Sequence, residues 1–280
     1  MESERFVKEL NGYSGCKIYL YENQEGILFV RKISPNKNYN PRLKKQAEKQ
    51  KYFYDFLMSE NVKTPKIFQQ GEKEGLYFFD MEYIPGKNLI EIIPFSSQEE
   101  LKKIVYVLID LIRKMKELKR PSFISIKEKI KNKVSKINSK LNIDAPFLNE
   151  IITSSENFLD VEETFCHGDL TFENILYDQE KEEYFLIDFL DSFIENYWFD
   201  LVKLFQDIEG KWYIIRNRYL DKKNIEIKMD FIGKKIKKEF ETDPYWTKHN
   251  LLLKLNFARI LPYAKKEDFE LIIDIIKNIS

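Results

Sequence analysis

The sequence predicts an α+β fold in which a small strand-rich region precedes a larger, mainly helical one. Three observations carry that expectation. Two pairs of β-rich runs flank one helical stretch in the first 84 residues, long amphipathic patterns dominate the remainder, and a single hairpin interrupts those helices. Strands and helices that segregate along a chain, instead of alternating, point to α+β and not to a doubly wound sheet. The expected division is residues 1–84 and 85–280.

Each element has its own signal. "CKIYLYENQEGILFVRKIS" (16–34) sets two β-rich runs around the turn "ENQEG", preceded by the loop "LNGYSGCK" with Gly12 and Gly15 around Ser14. Residues 40–60 are rich in helix formers, and Leu43, Ala47, Gln50, Tyr54 and Leu57 recur at spacings of three and four. Residues 64–84 give two more strands around "GEKEG", and "IPGKNL" (84–89) reads as a connector. A long helix over 96–118 opens on Ser97 with Glu100 three residues on, a capping box. Residues 126–140 are lysine-rich and predicted helical with a solvated face, and 147–159 suggest a short helix. "KEEY" (181–184) reads as the turn of the late hairpin, and beyond about 197 the chain reads as helical and rich in Trp, Tyr and Phe.

Composition narrows the function classes. Lys plus Arg equals Asp plus Glu at 46 each, which leaves no global attraction to nucleic acid or an anionic membrane. Cys16 and Cys166 lie far apart and match no metal-ligand or disulfide spacing. A reducing, cytoplasmic setting is therefore expected. Charges interrupt every apolar run well before about 18 residues, so no membrane-spanning helix is expected. "MESERFVKEL" has no signal-peptide pattern.

The stretch "CHGDLTFENILY" (166–177) holds one of the chain's two histidines. Turn chemistry alone accounts for His167-Gly168-Asp169. It does not account for Asn174 and, across the hairpin, Ile187-Asp188-Phe189. For a hydroxyl to attack a phosphoryl group, a carboxylate must orient it and accept its proton, and Asp169 is the candidate. An Asn and an Asp at the open ends of a short hairpin meet in space. Asn174 and Asp188 are thus candidates to hold magnesium, which takes oxygen ligands and keeps waters and substrate phosphates in its shell. Phosphoryl transfer rests on positioning and charge stabilisation, so few residues suffice.

"HGDLTFEN" and "LIDF", with 19 positions from Asp169 to Asp188, resemble the hallmark of the aminoglycoside phosphotransferase and choline kinase family, small-molecule relatives of protein kinases. The resemblance runs from residue 10 to about 210 and implies a protein-kinase-like two-lobe fold. It implies that Asp200, in "FDLVKL", supports the catalytic loop by buried hydrogen bonds, and that His167 packs beneath the loop. It implies a nucleotide loop in "NGYSGCKIY", where Ser14 and backbone N–H groups face the β-phosphate. It also implies a strand-borne cation on the α- and β-phosphates, either Lys32 or Arg31 in "FVRKIS". Neighbours on a strand point to opposite faces, so one of the two serves. Lys32 is favoured because Glu48, sixteen residues on, matches the helix glutamate that holds the cation in this family. "DMEYIPG" looks like the hinge, with the backbone of Glu82 and Ile84 pairing with the adenine edge.

The activity so implied is transfer of the γ-phosphate of ATP, or of GTP as the other donor, to a hydroxyl of a small molecule, with Mg2+. Asp191 and Glu195 either shape the acceptor site or are turn residues. Trp212, beside Tyr213, either lines that site or belongs to the core. "KWYIIRNRYLDKK" (211–223) is net basic, which leaves a strongly acidic drug-binding cleft unsupported. A sugar, a sugar alcohol or an amino alcohol such as choline is the expected acceptor, as for a cell-surface glycan or lipid precursor. An aminoglycoside-modifying kinase and a non-catalytic nucleotide-binding scaffold are the alternatives. The presence of Asp169, Asn174 and Asp188 together speaks against the scaffold. No Asp-Phe-Gly followed by Ala-Pro-Glu is present, which speaks against a protein kinase.

Overall fold

The computed structural model describes residues 4–10, 12, 15–141, 145–216 and 222–279. In chain order the first elements are β1 (Arg5–Leu10), β2 (Lys17–Glu22), β3 (Leu28–Ile33), α1 (Asn40–Phe56), β4 (Val62–Lys63), β5 (Ile67–Lys73) and β6 (Leu76–Glu82). Next come β7 (Lys87–Asn88), α2 (Leu89–Ile92), α3 (Gln98–Glu117), β8 (Lys119–Ile124), α4 (Ile126–Asn138), α5 (Pro146–Ser155) and β9 (Val161–Thr164). The last are β10 (Ile175–Asp178), β11 (Glu183–Leu186), α6 (Tyr197–Ile208), α7 (Trp212–Arg216), α8 (Lys222–Phe240), α9 (His249–Ala258) and α10 (Lys266–Asn278). Among the described residues, no helix is long and apolar enough to cross a membrane.

Contacts divide the chain into two units, Met1–Leu89 with Glu173–Asp191, and Ile90–Phe172 with Ser192–Ser280. The expected break at 84 thus falls after Leu89, and the late hairpin joins the first unit instead of the helical one. The reason is strand pairing. β10 pairs antiparallel with β7 and β11 pairs parallel with β4, which builds the sheet β4-β11-β10-β7 from residues far apart in sequence. Gly86 is required there: a Cβ would stand 2.8 Å from the Tyr177 carbonyl oxygen.

The main sheet of the first unit has the antiparallel order β1-β2-β3-β6-β5. Turn chemistry sets its hairpins. Asn23 Oδ1 accepts the N–H groups of Glu25 and Ile27 at 3.0 and 2.9 Å, and Gly26 takes φ 78°. Between β5 and β6, Glu74 and Gly75 both have positive φ, 55° and 76°, the two-residue turn that matches strand twist. Cys16, Ile18, Leu20, Val30, Phe79 and Met81 pack with Leu43 and Ala47 of α1, so the helix face read from sequence spacing covers one side of the sheet. β1 is almost wholly exposed, which removes the apolar alternation by which a strand is read from sequence.

In the second unit, α3 carries the expected capping box: Ser97 N–H donates to Glu100 Oε2 at 2.6 Å, and Glu100 N–H donates to Ser97 Oγ at 3.3 Å. Every residue of α6 is buried, and the helix packs among α3, α8 and α9. On α4 the lysines face outward while Ile126, Ile130, Val134 and Ile137 are buried. β8 and β9 form a small antiparallel pair absent from the sequence reading. Pro121 lies inside β8, where it lacks an N–H, and the register slips between Lys119 and Phe123. The late hairpin turn also moves: Glu183 and Tyr184 belong to β11, and Asp178 Oδ1 caps the turn by accepting from Glu180 and Lys181 N–H.

Candidate active site

β3 separates Arg31 from Lys32 by the pleat of the strand. Arg31 pairs across the sheet with Asp80 and Tyr19, whereas Lys32 pairs with Phe79 and Ile18. Arg31 therefore points to the face opposite α1. There its guanidinium makes a two-pronged bond to Asp80, both contacts 2.7 Å, reaches Glu4, and lies over Tyr21 and Phe78. Lys32 points to the α1 side and is only 2% exposed. Its Nζ donates to Asp188 Oδ1 at 2.9 Å. Burial opposes the ammonium, but the charge and hydrogen bond of Asp188 outweigh it and hold the Lys32 pKa above its ordinary value.

Glu48 does not supply the expected partner. It is exposed on α1, and its charge reaches Tyr77, whose hydroxyl burial and Glu48 together push up to about 12. Counting from the buried Leu43 and Ala47, position 48 falls on the outer side of the helix. The polar side chains that α1 does bury are Gln46 and Gln50. Gln50 Nε2 donates to the Pro65 carbonyl at 2.8 Å; Gln46 Nε2 donates to Tyr39 Oη at 3.3 Å, and its buried Oε1 has no hydrogen-bond partner.

The late hairpin brings Asn174 and Asp188 to neighbouring positions. Ile175 stands opposite Leu186, and Ile187 N–H donates to the Asn174 carbonyl at 3.0 Å, which closes the open end. Asp188 then takes φ 60°, a left-handed conformation that Asp tolerates better than branched residues do. Its side chain is 34% exposed. Two oxygen donors, one of them an anion already facing a cation, fit the preference of magnesium for hard oxygen ligands completed by water and phosphate.

The loop 166–172 is gripped by one face of α6. Asp200 Oδ1 accepts Gly168 N–H at 2.8 Å, and Oδ2 accepts His167 N–H. Asp207 Oδ2 accepts Phe172 N–H at 2.9 Å. Between them, Lys203 Nζ lies 2.9 Å from Asp169 Oδ1 and donates to Gln206 Oε1 at 3.1 Å. Within the loop, His167 is fully buried and its Nδ1 accepts Asp169 N–H at 3.3 Å. Thr171 N–H donates to the Asp169 carbonyl at 2.8 Å. Burial would raise the Asp169 carboxyl. The charge and hydrogen bond of Lys203, with smaller contributions from His167 and Arg259, instead hold it below the usual carboxylate range.

Lys203 and Asp207 are missing from the sequence reading of the site. Their signal is nonetheless present: "YWFDLVKLFQDI" is otherwise apolar, and its charges at 200, 203 and 207 fall at helical spacings of three and four. They share a face, so a single helix face holds three consecutive loop positions, 167 to 169, and Phe172 beyond them.

The remaining candidates fall in different places. Ser14 lies outside the described residues. Glu82 ends β6 with its N–H on the Lys66 carbonyl at 2.9 Å, and Ile84 is buried just past the ladder. Asp191 is exposed, 3.7 Å from Lys45. Glu195 serves its own loop, accepting Ser192 N–H at 2.9 Å and Cys166 Sγ at 3.5 Å. Trp212 is half-buried with its ring 6.3 Å from that of Phe257 at 70°, and neighbouring Tyr213 is buried.

No curated protein matches the sequence. Among solved structures, an aminoglycoside-3'-phosphotransferase of type VIII is similar over 90% of this chain and 93% of its own, at 16% identity and a TM-score of 0.59. A thermostable mutant of aminoglycoside phosphotransferase APH(4)-Ia, in ternary complex with AMP-PNP and hygromycin B, covers 98% and 92%, at 13% identity and a TM-score of 0.65. A protein assigned as a fructosamine-3-kinase from Thermobifida fusca YX-ER1 covers 99% and 94%, at 10% identity and a TM-score of 0.62. At these identities the likeness is one of fold: α+β, of the kinase-like phosphotransferase kind. The model of the phosphotransferase enzyme family matches residues 10–221, most of the chain, and the protein belongs to that family.

Proposed function

We propose that the protein transfers the γ-phosphate of ATP to a hydroxyl of a small molecule. The observation that carries this reading is the bond from Lys32 to Asp188, 2.9 Å across 156 positions of sequence, between two residues assigned to one site on separate grounds. Asp188 and Asn174 would hold magnesium, which neutralises phosphate oxygens when bound. Lys32 supplies a fixed positive charge for the α- and β-phosphates. Asp169, ionised at neutral pH, accepts a hydrogen bond from the acceptor hydroxyl and turns its oxygen toward phosphorus. That oxygen bonds to the γ-phosphorus as the bond to the bridging oxygen breaks. ADP leaves, and the hydroxyl proton passes to Asp169 and then to solvent.

Charge bears on the acceptor. The cationic side chains acting on Asp169 from its own unit are Lys203, foremost, and Arg259. A polycationic aminoglycoside would be repelled there, which favours a sugar, a sugar alcohol or an amino alcohol with few charges. Fructosamine kinases and aminoglycoside kinases on this fold provide the comparison classes for the assay.

The test is an acceptor panel of sugars, sugar alcohols, amino alcohols and aminoglycosides, followed as ADP formation from Mg-ATP, with Asp169→Asn as control. Turnover with a neutral hydroxyl compound and its loss in Asp169→Asn are expected. Mg-ATP binding without turnover on any acceptor or on water would mark a nucleotide-binding scaffold instead.

A further inference from the structure

α6 carries a buried lysine that the transfer step above does not use. Lys203 is 8% exposed on a helix whose every residue is buried. A buried ion pair adds little stability over well-packed apolar side chains, so packing alone does not call for an ammonium at this position. Asp200 and Asp207, on the same face, hold loop backbone N–H groups. Lys203 is placed between them and bonds a loop side chain, Asp169.

We infer that Lys203 is a positioning residue for phosphoryl transfer: its ammonium pins Oδ1 of Asp169 and so fixes the orientation in which the carboxylate meets the acceptor hydroxyl. This rests on the assignment of Asp169 given above. The physical need is clear from the side chain itself. The terminal torsion of an aspartate is broad and nearly two-fold, so an untethered carboxylate samples orientations that do not face the acceptor. A displacement of about 1 Å at a reacting group lowers rate about 100-fold. Two bonds fix the ammonium, one to Asp169 at 2.9 Å and one to Gln206 at 3.1 Å, and the helix that carries it also fixes the loop backbone. Carboxylate and backbone are therefore aligned by one rigid element. The groups that face Asp169 are Lys203 from α6, His167 from the loop and Arg259 just past α9. Of these, Lys203 makes both the charge contact and the hydrogen bond.

The experiment compares wild type with Lys203→Met, Lys203→Arg, Asp169→Asn and the Lys203→Met/Asp169→Asn double variant. ADP formation from Mg-ATP is followed with the acceptor panel and with water alone, and folding is checked by thermal melting. Lys203→Met is expected to lower kcat about 10–100-fold with KM for ATP unchanged. Lys203→Arg should recover much of that loss. The double variant should be no slower than Asp169→Asn, because Lys203 acts through Asp169. Additive losses, or a wild-type kcat in folded Lys203→Met, overturn the inference. If Lys203→Met does not fold, Lys203→Arg answers in its place: its loss of kcat must vanish in the Asp169→Asn background, and a loss that persists there overturns the inference. Full activity in Asp169→Asn overturns instead the assignment of Asp169, whatever Lys203→Met does.

Discussion

The Asp200 carboxylate accepts the Gly168 N–H at 2.8 Å, at the point where Gly168 turns through φ 91°. Its second oxygen accepts the His167 N–H, so one buried side chain satisfies two consecutive backbone donors of the loop. Asp200→Ala leaves both unpaired in a dry environment. A loss of about 2–4 kcal/mol is expected, read as a lower denaturation midpoint, together with loss of turnover. Gly168→Ala is expected to cost about 1–2 kcal/mol through the left-handed backbone. A wild-type midpoint for Asp200→Ala would mean that the loop is held by other contacts.

Lys32 and Arg31 separate by function in a binding experiment. Lys32→Met removes the partner of Asp188, whose side chain is 34% exposed and so partly rehydrates; a modest stability loss of about 1–2 kcal/mol follows. The thermal stabilisation given by Mg-ATP should disappear in the same variant. Arg31→Met breaks the Asp80 pair and lowers stability, yet the Mg-ATP stabilisation should persist. Reversal of that pattern would assign the phosphate contact to Arg31.

Removal of the metal tests Asn174 and Asp188. With EDTA in place of Mg2+, ATP should give no thermal stabilisation and no ADP should form. Asp188→Asn and Asn174→Ala should each need more Mg2+ for half-maximal turnover, by about tenfold or more. An unchanged Mg2+ requirement in both would place the metal elsewhere.

Glu48 provides a negative control. It is exposed on α1 and makes no bond to Lys32, so Glu48→Ala should change stability by no more than about 0.5 kcal/mol. KM for ATP should stay at the wild-type value. A large rise in KM would show that α1 turns Glu48 inward when nucleotide binds.

Acid titration reads the Asp169–Lys203 pair. Asp169 is held below its ordinary carboxyl value in the folded protein. Its pairing therefore contributes stability that is present in full above the ordinary value, about 3.9, and is lost as pH falls through the lower folded value. Lys203→Met lacks that contribution. Its deficit in Tm should be constant near neutrality and shrink on acidification below about pH 4. A deficit that grows on acidification would contradict the pairing.

Much of this architecture follows from interactions between residues close in sequence. The hairpins at 16–34 and 67–82 come from Asn23, Gly26, Glu74 and Gly75, whose conformations are set within the turn. The capping box at Ser97 and the face of α1 are likewise short-range features, and the spacing of Asp169, Asn174, Asp188 and Asp200 carries the resemblance on which the proposed loop chemistry rests. β1 and β8 escape notice for the converse reason: an exposed strand has no apolar alternation, and a proline at its centre makes a strand look like a break.

Other features depend on directions that spacing does not encode. The choice of Lys32 over Arg31 follows from strand register, since a shift of one residue exchanges the two faces. Glu48 matches the expected interval from Lys32, but the helix rotation set by burial of Leu43 and Ala47 turns it to solvent. Lys203 meets Asp169 because α6 packs one side against the loop, and a buried ammonium takes whichever carboxylate the packing brings within reach. A motif names the groups that do chemistry; packing, which acts between residues distant in sequence, chooses which charges stand beside them.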